Sequence, residues 1–95
     1  MAKRLGFIGI VVERREQAPR VNALLSEYGD MILGRIGVPS HEHNMAVIGL
    51  VVEGSNERIG ALTGKLGNLP GIVVKSALTG KTLNNEPTQK DGEET

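Results

Sequence analysis

Leu5-Gly6-Phe7-Ile8-Gly9-Ile10-Val11-Val12-Glu13 decides the fold of this chain, together with its counterpart Met45-Ala46-Val47-Ile48-Gly49-Leu50-Val51-Val52-Glu53. Both stretches are apolar at odd and even positions alike. A strand with one wet face alternates apolar and polar residues, and these do not. Both faces of the sheet that holds them are therefore expected to be covered. Helices of the same chain suffice for one face, and the other calls for a second copy or a partner.

After the first strand comes a charged turn, Arg14-Arg15-Glu16. Ala18, Val21, Leu24, Leu25 and Tyr28 then recur at helical spacing. Pro19 falls in the first turn of that helix, where its missing N–H is not needed. Gly29 is the expected C-cap, with positive φ. A second strand is expected over Met31 to Val38, stopped by Pro39, and a polar hairpin loop over Ser40-His41-Glu42-His43-Asn44. After the third strand, Ser55 or Asn56 can cap a second helix with Ile59, Leu62, Leu66 and Leu69 on one face. Gly67 and Pro70-Gly71 end it, and a fourth strand runs from Ile72 to Leu78. From Gly80 to Thr95 only Leu83 is apolar. Residues 80–95 are expected to be a disordered tail behind a single domain over residues 1–79.

The order is β-α-β-β-α-β, with one direct hairpin. Right-handed crossovers would put both helices on one face of a four-stranded antiparallel sheet. The fold class is therefore α+β, a ferredoxin-like sandwich with the two apolar strands in the middle. Ile8, Ile10, Val12, Ala46, Ile48, Leu50 and Val52 are expected to face the helices. Phe7, Gly9, Val11, Val47, Gly49 and Val51 then line the open face. Gly9 and Gly49 would leave a flat patch there, suited to association or to a buried small molecule. They could instead simply bend or bulge the strands.

Composition narrows the function. The 95 residues are 39% apolar, with Phe7 and Tyr28 as the aromatics. A chain of this length often needs disulfides, a metal or oligomerisation to complete its core. It has no cysteine, which excludes disulfides, iron–sulfur ligation and thiol catalysis. Eleven basic residues balance eleven acidic ones, which argues against a strong electrostatic footprint for nucleic acid. No stretch approaches a transmembrane length, and Met1 onward lacks the apolar core and cleavage site expected of a leader. A cytoplasmic protein without membrane contact is expected.

Three segments carry a family resemblance: "GFIGIVVERRE", "YGDMILGRIGVP" and "LTGKLGNLPGIVVKS". They resemble the iron-only hydrogenase system regulator family over roughly Leu5 to Ala77, most specifically in "GRIGVP" and "GKLGNLPG". The resemblance implies a ferredoxin-like fold similar to ACT domains and to the C-terminal domain of nickel-responsive regulators, in a regulatory, oligomeric protein. Nickel-responsive regulators carry a ribbon-helix-helix DNA-binding domain ahead of this fold. Here the first strand begins about four residues from Met1, so direct DNA binding by this chain alone is not expected. RNA binding is not expected either, because the central strands lack stacking aromatics beyond Phe7.

Candidate sites follow. His41 and His43, two apart in an extended segment, would point the same way and could share a metal, or could be solvated loop residues. The His-x-His of nickel-responsive regulators would fall near Gly34 to Gly37, which offers no ligand. Arg14 and Arg15 sit at the strand-to-helix turn, near which effectors bind in ACT-like folds. They could hold a carboxylate or phosphate, or simply keep the turn in water. Arg35 is the one charge inside the second strand. Edge protection is the first reading, and a salt bridge to a neighbouring subunit or anion binding the second. Gly60 and Gly64 lie on one side of the second helix, away from its apolar stripe. Each costs up to about 1 kcal/mol against alanine. Close approach of another backbone or a ligand would account for them, as would a weak, tolerated helix. Gly67 is accounted for by capping, and Lys65 reads as a solvated residue.

No nucleophile elbow or P-loop is present. Gly80-Lys81-Thr82 has Lys75 where a P-loop needs glycine. The expectation is a non-enzymatic regulatory module without a cofactor, a homo-oligomer (dimer or tetramer) that binds a small-molecule effector or a protein partner. The alternatives are a structural adaptor and a metal-dependent sensor using His41 and His43.

Overall fold

The computed structural model describes residues 3–79. The tail expected from Gly80 lies outside the described residues. In chain order the elements are β1 (Arg4–Val12), a 3-10 turn (Arg15–Gln17), α1 (Ala18–Glu27), a 3-10 turn (Gly29–Met31), β2 (Ile32–Ser40), β3 (Met45–Gly54), α2 (Asn56–Gly67) and β4 (Ile72–Leu78). The sheet order is β2-β3-β1-β4, and every neighbouring pair is antiparallel. This is the ferredoxin-like arrangement, with the two doubly apolar strands in its middle.

One core explains why both helices share a face. Ile8, Ile10 and Val12 of β1 pair across from Leu50, Ile48 and Ala46 of β3. They join one cluster with Val21 and Leu25 of α1 and Ile59, Leu62 and Leu66 of α2. Side chains alternate across a strand, so both helices must pack on the face these even-numbered β1 residues present. The Ser55 hydroxyl starts α2 by accepting the Arg58 amide at 3.2 Å, a cap worth about 1 kcal/mol.

Three local expectations are corrected. Gly29 does not take positive φ: Tyr28 caps α1, and the chain turns through Gly29–Met31. That turn drops Met31 into the core, buried beside Gly54, where a Cβ would meet its sulfur. Pro39 does not stop β2, which runs on to Ser40 paired with Met45. A proline is tolerated there because β2 is an edge strand and its ladder is needed on one side only. Gly67 is the last residue of α2 rather than a left-handed cap, and Asn68 follows as C-cap. The described glycine with positive φ is Gly71, at 74°, between α2 and β4. Its carbonyl accepts the Glu13 amide at 2.8 Å, tying the end of β1 to the start of β4.

Candidate functional site

A cavity of about 210 Å³ opens between α1 and the β2 edge. Its floor is core: Val12, Val21 and Ile48, all buried. Two guanidinium-bearing residues line it, Arg15 from the turn after β1 and Arg35 from β2. Register explains Arg35. It lies opposite Leu50, a helix-facing position, so it points toward α1 rather than to the open face. There its Nη2 donates to Asn22 Oδ1 of α1 at 3.2 Å. Arg35 is thus more than an edge charge. Arg14 goes elsewhere. Its stem lies against Gly71, and it does not line the cavity. The structure brings Arg15 and Arg35 together and leaves Arg14 out. Asn22 escaped the sequence reading; its signal was a polar residue flanking Val21 on α1.

The opposite face of the sheet is a second feature. Three rungs cross it in strand order: Val38-Val47-Val11-Val73, then Ile36-Gly49-Gly9-Lys75, then Gly34-Val51-Phe7-Ala77. Phe7, Ile36, Val38, Val47, Val51 and Val73 are each at least 40% exposed, and Lys75 is the one charge in these rungs. The glycine pair does not leave an empty flat patch. The Phe7 ring lies across it, so that a Cβ on Gly49 would come 3.1 Å from Cε1 and Cζ, and one on Gly9 3.4 Å from Cε2.

The remaining candidates separate. His41 and His43 lie in a turn (His41–Asn44), not in extended backbone, which removes the reason for expecting them to point the same way. His43 Nδ1 is 3.0 Å from Ser40 Oγ instead. Among the described residues no three His, Cys, Asp or Glu side chains gather as a metal site. Gly60 and Gly64 face open space, with nothing within 4 Å of where a Cβ would stand. Among the described residues no backbone approaches them within that distance. They border a shallow groove with Thr63, Gly67 and the edge of β4.

Lys65 is not merely solvated. Its Nζ is 3.3 Å from Glu27 Oε2 and 5.1 Å from the Tyr28 ring centre. Arg58, two turns earlier on α2, stands 5.4 Å from the same ring. It also holds Asp30 through both guanidinium nitrogens. Tyr28 is buried at the end of α1 with two cations of α2 over its ring, a favourable match to the ring's negative face. The Arg58 hydrogen bonds hold the Asp30 carboxyl below its usual pKa range.

Residues 4–76 match the TM1266-like family, described as "Iron-only hydrogenase system regulator, putative". The chain belongs to this family. The TM1266-like segment spans β1 through most of β4, so the Arg15–Arg35 cavity and the three apolar rungs, Ala77 apart, fall inside it. A solved structure of the family type, that of the uncharacterized protein TM1266 from Thermotoga maritima, is 49% identical. The match covers 80% of this chain and 96% of that one, with a TM-score of 0.76. No curated protein matches the chain. Among the described residues no helix is long and apolar enough to cross a membrane.

Proposed function

We propose that this chain is a non-enzymatic, cytoplasmic regulatory module of an iron-only hydrogenase system. In this reading it works as a homo-oligomer joined through the open sheet face, with a small-molecule effector held at Arg15 and Arg35. The regulated system comes from the family's description. The single observation that carries the assembly is the uncovered apolar sheet face centred on Phe7, Val47 and Val51. Contiguous apolar patches of this kind favour association over exposure to water. Residues 80–95 offer little apolar surface, since only Leu83 among them is apolar. A second copy has the needed surface, and a two-fold pairing makes one face complementary to itself.

Sedimentation velocity at micromolar concentration tests this. The wild type is expected to sediment as a dimer or tetramer. Val47→Lys with Val51→Lys is expected to sediment as a monomer with an unchanged far-UV circular dichroism spectrum. A wild-type monomer throughout that range would overturn the assembly.

A further inference from the structure

We propose that the cavity between α1 and β2 binds a small aliphatic carboxylate that carries no ammonium group. This deepens the regulatory reading above by naming its ligand class, and it does not depend on the sheet-face assembly. Arg15 and Arg35 both line about 210 Å³ of space over a floor of Val12, Val21 and Ile48. Among the described residues no aspartate or glutamate lines it. Among the described residues neither Arg15 nor Arg35 makes an ion pair, whereas Arg58 and Lys65 do. Asn22 partners Arg35 as an uncharged acceptor, which orients the guanidinium without neutralising it. Among the described residues the site therefore has two positively charged side chains in its lining and no anion that balances them. Planar bidentate pairing makes a carboxylate a natural counterpart to arginine.

The rest of the lining selects the ligand's body. An apolar floor rewards methylenes, each worth about fourfold in affinity when buried. A bare phosphate would leave that floor uncovered. An amino acid would bring an ammonium group to a lining with two like charges and no carboxylate to receive it. The volume corresponds to about seven waters at about 30 Å³ each. That matches the bulk of a branched short-chain acid.

The test uses the full chain with 4-methylpentanoate, its neutral amide, leucine and inorganic phosphate, each at millimolar concentration, followed by calorimetry and by methyl NMR. The acid is expected to bind and to shift the methyl signals of Val12, Val21 and Ile48. Acetate is expected to bind at least tenfold more weakly than 4-methylpentanoate. Arg15→Gln and Arg35→Gln are each expected to weaken the acid about tenfold or more, with native methyl spectra as evidence that the variants fold. The assignment is overturned by any of three results: no binding of the acid, equal binding of the amide or of phosphate, or leucine binding more tightly than the acid. A monomeric wild type that still binds the acid would defeat the assembly reading and leave this site standing.

Discussion

At the scale of single residues, glycines do two opposite jobs here. Gly71 is needed for its backbone. With φ at 74°, any L side chain is strained, and a Cβ would come 2.6 Å from Arg14 Cγ. Gly71→Ala is expected to cost about 1–2 kcal/mol in urea unfolding, with the denaturant slope unchanged. Gly49 is needed for its surface, since it leaves room for the Phe7 ring to lie flat on the sheet. Asp30 is a charge effect of one residue on another. Its carboxyl is held below the ordinary range by Arg58, so the folded state binds its proton less readily than the unfolded chain does. The stability it supplies is full above the ordinary carboxylate range and is lost as pH falls through its depressed pKa. Asp30→Asn should flatten the acid limb of stability against pH. The change will be small because both partners are exposed and screened.

At the scale of elements, α2 shows local propensity working against local structure. It carries Gly60 and Gly64 on a side where, among the described residues, nothing lies within 4 Å of an added Cβ. Alanine at Gly64 is therefore expected to stabilise the isolated fold by up to about 1 kcal/mol, measured by thermal or urea unfolding. Gly64→Leu separates two readings of that side. If assembly is unchanged by sedimentation, no second backbone packs there. The opposite side of α2 is tied to α1 by Arg58 and Lys65 over the Tyr28 ring. The elements themselves were legible in sequence to within a residue or two, because apolar periodicity and the punctuating Gly71, Ser55 and Pro70 mark them. Pro39 misled, since a proline breaks a central strand but not an edge one, and edge position is a property of the sheet.

At the scale of the whole molecule, the helices cover one face of the sheet, and among the described residues the other is apolar and exposed. Linkage makes this measurable. An assembly that exists only among folded copies adds its association free energy to stability, so the unfolding midpoint should rise with protein concentration. In the Val47→Lys, Val51→Lys variant that dependence should vanish. The sheet-face residues were readable from sequence because they follow from strand parity alone. The cavity was only half readable. Arg15 and Arg35 stood out as charges in unusual places, but nothing in the order of residues put them at one opening or sent Arg14 to Gly71.

The order of apolar and punctuating residues was enough to determine the strands, the helices, the ferredoxin-like topology and the two sides of the sheet. These depend on periodicity along the chain, which is local. Tertiary structure alone decided that Phe7 roofs the Gly9–Gly49 pair, that Asn22 meets Arg35, and that two cations of another helix lie over the Tyr28 ring. Each of these joins side chains from different elements, and their distances are set by register and helix packing, which no single stretch of sequence contains.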